Sequence, residues 1–443
     1  MVMNMVNGRD VYIVDGSRTP QLKARGKPGP FSASDLAVSA GRALLMRHNF
    51  DLGELDEVII GCVMPSEDEA NIGRVIALRL GIPQTVPAWT VQRNCASGMQ
   101  SIDSAFHNIA SGQSELILAG GVEAMSRAPV ISNSAMVYWL SDLMQSKTLM
   151  QRLVHFTRLR LGHFRPVIAL LRGLTDPIVG LNMGQTAENI AASFAITRRQ
   201  MDSFAVASHH RLAAAHAAGH LDEIEVLYDS DGNFYDHDDG VRPDSSIEKL
   251  AKLQPVFDRK YGNVTAGNSA QITDGASMLL LASQDAVAKY RLPVLAKIID
   301  TQWAGLDPAV MGMGPVHAMS PIMQRHQLAI SDIDYWEINE AFATQVLGCV
   351  EAWKDDEYCR THLGQDRAFG EIPHQRLNVD GGGVSLGHPV GASGARIVLH
   401  LAKVLQRNNA RRGIASLCIG GGQGGAMLIE NVSNAVSPGE AAS

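Results

Sequence analysis

Short apolar runs alternate with longer amphipathic runs along most of the chain. Apolar runs bounded by turn residues are typical of buried strands, whereas apolar residues spaced three and four apart are typical of helices. The apolar runs predict strands over 10–14, 55–63, 85–91 and 116–119, and the amphipathic runs predict helices over 33–46, 74–80 and 99–109. The first and last of these strands end at turn signals, Asp15-Gly16 and Gly120-Gly121. The alternation predicts an α/β protein whose parallel or mixed sheet is covered by helices.

Three patterns of the N-terminal part recur in the C-terminal part, in the same order and at similar offsets. Residues 55–60 resemble 333–338, Ala96-Ser97-Gly98 recurs as Ala392-Ser393-Gly394, and 116–121 recurs as 417–422. We therefore expect two duplicated halves with a site where they meet. The predicted parts are an N-terminal half of 1–128 and 266–284, an inserted loop domain of 129–265, a C-terminal half of 285–430, and a flexible tail of 431–443.

The first part of the inserted region is basic and amphipathic. Between residues 141 and 175 a single acid, Asp142, stands against six basic residues, with leucine, methionine and phenylalanine threaded among them. The basic residues are Lys147, Arg152, Arg158, Arg160, Arg165 and Arg172. Such helices suit an anionic surface: a membrane, a partner protein or phosphate groups. The alternative is a helical cap that packs on its own domain while its arginine heads reach water.

Composition narrows the class of protein. A chain of 443 residues predicts two or three domains, and its formal charge of −7 argues against a nucleic-acid binder. The five cysteines form no CxxC pair, so we predict neither a disulfide framework nor a metal site, and a reducing compartment fits best. The N-terminus has no apolar core of signal-peptide length, and no apolar run reaches about 18 residues. A cytoplasmic protein is expected.

Cys95 lies at a predicted strand–turn–helix junction. The small residues Ala96, Ser97 and Gly98 follow it and open the helix. A helix N-terminus carries a partial positive charge and unpaired N–H groups, which lower the pKa of a thiol and favour the nucleophilic thiolate. The alternative is a small buried hydrophobic residue, as many free cysteines are.

Three further stretches combine glycine with side chains that could work with a thiol. They are Asn339-Glu340, Gly387-His388-Pro389 and Cys418-Ile419-Gly420. A thiol nucleophile needs a base, usually histidine, and acyl chemistry needs N–H donors that glycine-rich turns can present. The alternatives are core packing for Cys418 and a helix cap with a first-turn acid for Asn339 and Glu340. The GxGxxG match over 420–425 precedes a strand, so we predict a hairpin and not a dinucleotide site.

Together these stretches resemble the thiolase family. The matching segments are NCASGMQSI, NEAFA, GHPVGASGARI and CIGGGQGGAMLIE, in the order in which the family has them. The likeness extends over nearly the whole chain and implies a five-layer α/β/α/β/α body of two like halves with a loop domain over the site. The insert over 137–172 is similar to that of thiolases acting as β-type subunits of fatty-acid oxidation complexes.

The resemblance also implies roles for five residues. Cys95 is the nucleophile that carries the acyl group, and His388 takes its proton. Cys418 is the acid/base at the methyl carbon of acetyl-CoA. Asn339 holds a water that forms one oxyanion hole with His388, and the backbone N–H groups of Cys95 and Gly420 form the other.

The resemblance extends to contacts with coenzyme A, the expected substrate; no tightly bound cofactor is implied. It places three loop-domain residues near CoA or the acyl thioester: Asn182, Met183 and Arg242. The stretch 267–271 matches the pantetheine contact, where Ala270, beside Ser269, stands in place of the serine of many thiolases. A homo-oligomer, dimer or tetramer, is implied, and the insert suggests an α-subunit of a fatty-acid oxidation complex or a membrane surface as a partner.

The implied reaction is reversible thiolytic cleavage of a 3-ketoacyl-CoA, or condensation of two acetyl-CoA, with ping-pong kinetics. A condensing ketoacyl synthase and a catalytically silent lipid carrier or scaffold are the alternatives. A second cysteine, Cys418, in the acid/base position favours a thiolase over a synthase, and the intact reactive stretches argue against a scaffold. The acyl chain length is not set by these motifs and depends on loop-domain surroundings near Met183, Met313 and His317.

Overall fold

The computed structural model describes residues 8–432. Its strands are β1 Val11–Arg18, β2 Leu22–Lys23, β3 Glu57–Gly61, β4 Ala88–Val91, β5 Leu116–Ala124, β6 Val130–Ser132, β7 Pro166–Ile168, β8 Leu227–Tyr228, β9 Phe234–Tyr235, β10 Thr273–Ser283, β11 Ala296–Gly305, β12 Tyr335–Ile338, β13 Arg412–Ile419 and β14 Gln423–Glu430. Its helices are α1 Ala33–Met46, α2 Ile72–Arg79, α3 Ser97–Ala110, α4 Ser134–Gln145, α5 Leu149–Thr157, α6 Ala169–Gly173, α7 Met183–Ser193, α8 Arg198–Ala217, α9 Ile247–Leu250, α10 Gln284–Tyr290, α11 Gly314–Arg325, α12 Ala343–Lys354, α13 Asp356–His362, α14 Gly383–Leu386 and α15 Val390–Arg407. None of the helices within residues 8–432 combines the length and apolar character needed to cross a membrane.

Outward from the pair of β1 and β11 at its centre, the main sheet has corresponding strands in both directions, and β4 is an additional edge strand. The order is β12-β13-β14-β11-β1-β10-β5-β3-β4, and β2 adds to β10. In the first half β3 and β5 are parallel, and β5, β10 and β1 follow in antiparallel pairs; β12, β13, β14 and β11 repeat this series. The antiparallel pair of β1 and β11 joins the two series. The predicted duplication is confirmed by this inverted symmetry.

Helices and sheet halves form five layers. Helices α1 and α2 cover one face of the first half, and α11 covers the outer face of the second. Between the halves lie α3 and α15, which contact each other and whose apolar side chains share one core with strands of both halves. Separate apolar cores fill the two outer interfaces. The predicted α/β/α/β/α architecture is confirmed, and α3 and α15 are its central layer.

Two predicted strand ends are wrong, because both strands continue through their turn signals. Strand β1 does not turn at Asp15 and Gly16; it continues to Arg18, with a register shift between Ile13 and Asp15. Its long neighbour β10 supplies hydrogen-bond partners along that whole length, so pairing overrides the local turn preference.

Strand β5 likewise continues past Gly120 and Gly121 to Ala124. A Cβ placed on Gly121 would lie 2.0 Å from the carbonyl oxygen of Gly391 at the start of α15. This glycine therefore allows the central helix to lie directly on the strand, and it does not mark a turn.

The inserted region lies mainly against the second half. Helices α7 and α8 both contact α12, and α8 also contacts α14. Two small antiparallel sheets complete the region: β6 with β7, which are separated in sequence by α4 and α5, and the hairpin β8–β9. The predicted boundaries of the three parts stay a prediction.

Asn431, predicted to begin the flexible tail, is buried, and its N–H donates to the Arg411 carbonyl at 2.8 Å. Residues 433–443 lie outside the described residues.

A buried network of charges joins the region around residues 223–238 to both halves. Arg18 on β1 makes a bidentate pair with Asp238, at 2.7 and 2.9 Å, and contacts Glu223 at 3.2 Å. His400 on α15 contacts the same Glu223 at 3.0 Å through Nδ1 and Asp380 at 3.1 Å through Nε2. Because both carboxylates face it, the pKa of His400 is raised to about 10 despite burial.

Candidate active site

Cys95 lies in the tight turn between β4 and α3, as predicted. Asn94 has a φ of 44°, in the left-handed region. The hydroxyl of Ser97 fixes the turn, because it accepts the N–H of Arg93 at 2.9 Å and donates to the carbonyl of Asn94 at 2.7 Å. The thiol is thereby held directly in front of the first turn of α3.

The hairpin between β13 and β14 lies beside this turn. The side-chain amide of Asn94 donates to the carbonyl of Gly420 at 2.8 Å, and the backbone N–H of Gly420 is directed at the Cys95 thiol. Cys418 is buried in β13, near enough to Cys95 for the charges of the two sulfurs to interact. The stretch 420–425 is the predicted glycine-rich hairpin.

His388 lies just before α15, and of its two ring nitrogens only Nε2 lacks a hydrogen-bond partner among the described residues. Its N–H donates to the carbonyl of Gln271 at 3.0 Å, its Nδ1 lies 2.6 Å from the hydroxyl of Ser393, and Asn339 Nδ2 lies 3.5 Å from Nδ1. With the Ser393 hydroxyl donating to the Pro389 carbonyl at 3.1 Å, its oxygen accepts from Nδ1. The Asn339 Nδ2, itself a donor at 3.5 Å, then makes no hydrogen bond to Nδ1. This network assigns the proton to Nδ1 and leaves Nε2 with a lone pair.

Two buried polar atoms of the site have no partner among the described residues: Nε2 of His388 and Oδ1 of Asn339. Asn339 follows β12, and its N–H donates to the carbonyl of Ser416 on β13 at 2.9 Å. Since β12 and β13 are parallel, Asn339 and Cys418 lie at the same edge of the sheet. Buried polar atoms are nearly always hydrogen-bonded, so these two are suited to bind a substrate oxygen, a water or a transferred proton.

The repeated motifs bring the two parts of the site together. A Cβ on Gly98 in α3 would lie 2.8 Å from the carbonyl of Gly391 and 2.9 Å from the N of Ala395, both in α15. The starts of the two central helices therefore touch backbone to backbone. Cys95 immediately precedes one of these starts and His388 the other, which is the arrangement that the duplication predicted.

Burial controls the protonation of these groups. It raises the pKa of the Cys95 thiol, and the N–H of Gly420 only partly opposes it, so the predicted lowering by the helix start is wrong. It raises the pKa of Cys418 well above its usual range. Burial, together with the charge of Arg396, lowers the pKa of His388 to about 4. The resting site therefore holds two thiols and a neutral imidazole able to accept a proton.

Glu123 is a buried acid beside the site that the sequence reasoning missed. Its buried carboxylate accepts backbone N–H groups from Val63 at 2.9 Å, Met64 at 2.9 Å and Gly391 at 3.1 Å. Burial raises the pKa of Glu123 to about 7, and its charge contributes to the raised pKa of Cys95. A single acid inside an otherwise apolar strand was the available signal.

The alternative prediction for Glu340, an acid in the first turn of a helix, is wrong, because α12 begins only at Ala343. It is buried and accepts hydrogen bonds from Ser208 Oγ at 2.6 Å, Asn378 Nδ2 at 2.9 Å and the Val384 N–H at 3.2 Å. This carboxylate thereby connects α8 of the inserted region to the loop that leads to His388.

The two predicted CoA contacts at the start of α7, Asn182 and Met183, differ in whether their side chains are available to a ligand. The sulfur of Met183 would lie 3.4 Å from a Cβ on Gly420, so Met183 borders the hairpin beside Cys95. Asn182 caps α7, with its Oδ1 accepting the N–H of Gln185 at 3.0 Å. Met183 is thus positioned next to the acyl site, whereas the Asn182 carbonyl oxygen is already engaged.

The remaining predicted CoA contacts lie in loops. The hydroxyl of Ser269 donates to the Thr265 carbonyl at 2.7 Å, and the N–H of Ala270 donates to the Ala341 carbonyl at 2.9 Å. The side chain of Arg242 is exposed and forms no ion pair with a described residue. Of these three residues, only Arg242 has its polar side-chain atoms available to an anionic ligand.

A duplicated α/β fold that gathers two cysteines, a buried imidazole and glycine-rich turns defines a thiol-dependent acyltransferase. The sequence model of the thiolase N-terminal domain matches residues 11–285, and that of the thiolase C-terminal domain matches residues 292–431. The chain belongs to the thiolase family.

Relatives of known name agree with this assignment. The chain is 36% identical over 431 residues to the beta-ketoadipyl-CoA thiolase of Pseudomonas knackmussii, covering 96% of this chain and 100% of the relative. It is 35% identical over 425 residues to the mitochondrial trifunctional enzyme subunit beta of Rattus norvegicus, covering 96% and 89%. The crystal structure of human mitochondrial 3-ketoacyl-CoA thiolase in complex with CoA has a TM-score of 0.82 at 35% identity, covering 96% and 98%. The chain is therefore an acyltransferase that acts on CoA esters.

Proposed function

We propose that the chain catalyses the reversible thiolytic cleavage of a 3-ketoacyl-CoA to acetyl-CoA and a shortened acyl-CoA. The observation that carries this proposal is the unpartnered, buried Nε2 of a neutral His388 in a site that also holds two thiols. A hydrolase would need one nucleophile and one base, whereas breaking a C–C bond beside a thioester needs a further acid/base for the carbon. Run in reverse, the same groups condense two acetyl-CoA.

In the first half-reaction, His388 Nε2 accepts the proton of Cys95, and the sulfur attacks the 3-keto carbon. The bond between C2 and C3 breaks, and its electron pair forms the enolate of acetyl-CoA. Cys418 donates a proton to C2, which releases acetyl-CoA and leaves the acyl group on Cys95. In the second half-reaction, the thiol of CoA loses its proton to the Cys418 thiolate and displaces Cys95, which recovers its own proton from His388. The kinetics are therefore ping-pong.

Two oxyanion sites support these steps. The N–H groups of Cys95 and Gly420 are assigned to the oxygen of the acyl group on Cys95, and the Gly420 N–H directed at the thiol supports that role. Asn339, through a bound water, and His388 are assigned to the oxygen of the enolate. Each such donor is typically worth about 3 to 4 kcal/mol in the transition state.

The substrate is assigned as a fatty or related 3-ketoacyl-CoA in degradative metabolism, which the names of the relatives support. Arg242 and Met183 are assigned to CoA binding. Asn182, Ser269 and Ala270 are assigned to it from the family resemblance, since Asn182 Oδ1 and the Ser269 hydroxyl are engaged within the chain. A cavity of about 620 Å³ lined in part by Met313 and His317 is a candidate for chain-length selection. A homo-oligomer is expected, and a cytoplasmic location is consistent with five free cysteines.

Turnover of acetoacetyl-CoA and of 3-ketodecanoyl-CoA with free CoA, followed by loss of enolate absorbance, tests the proposal. Cys95→Ala should abolish turnover. Cys418→Ala should block C–C chemistry while mass spectrometry still finds an acetyl group on Cys95 after incubation with acetyl-CoA. Cys359→Ala removes a buried thiol outside the site and should leave turnover unchanged. An inactive wild-type enzyme, or a fully active Cys95→Ala variant, contradicts the proposal.

A further inference from the structure

Glu123 is a buried acid that the proposed reaction does not use. It lies near the end of β5, is fully enclosed, and forms no ion pair with a described residue. Its hydrogen-bond donors among the described residues are the thiol of Cys62 at 3.7 Å and three backbone N–H groups, those of Val63, Met64 and Gly391. Burying an acid without a cation is unfavourable, so its position beside the site indicates a function.

One side of this contact supports the nucleophile. Two consecutive N–H groups of the loop that follows β3 donate to the carboxyl group of Glu123 at 2.9 Å. The preceding residue of the same loop, Cys62, donates its N–H to the carbonyl of Val91 at 3.2 Å. Val91 ends β4, and the turn with Cys95 follows it. The loop held by Glu123 therefore braces the strand that leads into Cys95.

The other side of the contact supports the base. The N–H of Gly391, in the first turn of α15, donates to Glu123 Oε2 at 3.1 Å. His388 lies three residues before Gly391, and its hydrogen-bond partner Ser393 lies two residues after it. A Cβ on Gly391 would lie 2.7 Å from the same Oε2, so the lack of a side chain permits this approach. Glu123 thus connects the supports of Cys95 and His388, which belong to opposite halves.

Both oxygens of Glu123 act as acceptors. Oε2 accepts the N–H groups of Val63 and Gly391, while Oε1 accepts that of Met64 and faces the Cys62 thiol. A glutamine would place its NH2 group against one of these N–H donors, whichever way the amide lay. A protonated carboxyl group can instead donate from Oε1 towards the Cys62 sulfur and still accept from Met64. The contact therefore requires an acid, and it persists when that acid gains a proton.

We propose that Glu123 is a positioning residue, whose carboxyl group holds the loop that braces β4 and the start of α15 in the arrangement needed for proton transfer. This inference rests on the proposed function, in which His388 takes the proton of Cys95. When ionised, Glu123 also places a negative charge near the Cys95 thiol, and this charge contributes to the raised pKa of that thiol. The titratable groups that respond to the charge are the thiols of Cys95 and Cys62.

Two reactions of Cys95, followed by mass spectrometry at pH 8, test this proposal. Acetylation by acetyl-CoA needs His388, whereas alkylation by iodoacetamide needs only the thiolate. In Glu123→Gln, acetylation should slow about 10- to 100-fold with little change in KM, because a small misplacement of the reacting groups has effects of this size. Alkylation should become about 3- to 10-fold faster, because loss of the negative charge favours the thiolate. At pH 6 the wild-type Glu123, whose pKa is about 7, is already mostly neutral, so the two proteins should be alkylated at similar rates.

Glu123→Asp is the second variant, which keeps the charge but withdraws the oxygens from their donors. Its acetylation should slow, while its alkylation at pH 8 should stay close to that of the wild type. Glu69→Gln is the matched control, since Glu69 is also a buried acid that accepts a backbone N–H, that of Ser34 at 2.9 Å. It should leave both rates unchanged.

The proposal is overturned if either variant of Glu123 is acetylated at the wild-type rate, or if acetylation and alkylation of Glu123→Gln slow together. It is also overturned if alkylation of Glu123→Gln is faster by the same factor at pH 6, which would show looser access to the thiol. A wild type that is acetylated on Cys95 but cleaves no 3-ketoacyl-CoA contradicts the proposed function alone, because the comparison of the two rates still decides the role of Glu123. A wild type that is not acetylated overturns both.

Discussion

The hydroxyl of Ser393 lies 2.6 Å from Nδ1 of His388 and donates its own proton to the backbone carbonyl one turn earlier. A serine at the first turn of α15 thus selects the tautomer of the imidazole that precedes the helix. The proposed base is held with its lone pair at Nε2 before any substrate arrives, and proton transfer from Cys95 then requires no rearrangement of the ring.

Replacing Ser393 by alanine should lower kcat roughly 10- to 100-fold with little change in KM, because the imidazole loses the acceptor that fixes its tautomer. Steady-state thiolysis measures both constants. Ser320→Ala in α11 is the matched control, since Ser320 is also buried and donates to the carbonyl four residues earlier, that of Val316. An increase in KM alone, with kcat preserved, would argue against a positioning role for Ser393.

Acylation of Cys95 should remain fast well below neutral pH. His388 has its pKa lowered to about 4, so it is a neutral base above that value, whereas an ordinary histidine would be protonated below about pH 6.5. Rapid-quench mass spectrometry of the acetylated Cys95 peptide gives the rate at each pH. Enzyme returned to neutral pH should regain its full rate, which separates protonation from unfolding; an acid limb centred near pH 6.5 would contradict the prediction.

Gly98→Ala should destabilise the protein by about 1 to 3 kcal/mol and slow turnover, because the added methyl group meets the backbone of α15 and separates the two central helices. Thermal unfolding and steady-state kinetics measure the two effects. Gly173→Ala serves as the control, since a Cβ there has no neighbour within 4 Å. Full activity of Gly98→Ala would mean that Cys95 and His388 do not depend on this contact.

His400→Gln should cost about 3 to 5 kcal/mol, because Glu223 and Asp380 would then face each other without the cation between them. The folded-state pKa of His400, about 10, is above its unfolded value of 6.5. Its contribution is therefore complete below pH 6.5 and is lost as the pH rises through about 10. Denaturant unfolding should show the difference between wild type and variant shrinking over that interval.

Lys289→Ala, which removes an exposed ion pair with Glu54, is the control for His400 and should change stability little at any pH. A wild-type advantage over His400→Gln that grows as the pH rises from neutral towards 10 would contradict the assigned network.

The fold and the positions of Cys95 and His388 at the starts of two helices could be predicted because their signals are local. The apolar and amphipathic runs fixed the element types, the repeated motifs gave the duplication, and Cys95 and His388 each precede a run of small residues that opens a helix. The strand that continues through Asp15 and Gly16 could not be predicted, since its hydrogen bonds come from β10, far away in sequence.

The pKa shifts of the site could not be predicted from the sequence for a similar reason. A helix start predicts a lower thiol pKa, but the enclosure of Cys95 by two halves raises it, and no local pattern reports that enclosure. Ser393 was visible only as one residue of a repeated motif, and Glu123 only as an acid among apolar neighbours. Their roles depend on partners from other segments of the chain.

The duplication also has a consequence for how the two halves divide the groups of the site. When the repeated motifs are aligned, Cys95 of the first half falls opposite Gly391 of the second, and Asn339 of the second falls opposite Gly61 of the first. Each copy thus has a glycine, with no side chain, where its twin has the functional group. The copies are not interchangeable: pairing the first with itself would give two Cys95 thiols and no amide, and pairing the second with itself would give two amides and no Cys95. Each chain accordingly has a single reaction centre, to which the two halves contribute different groups.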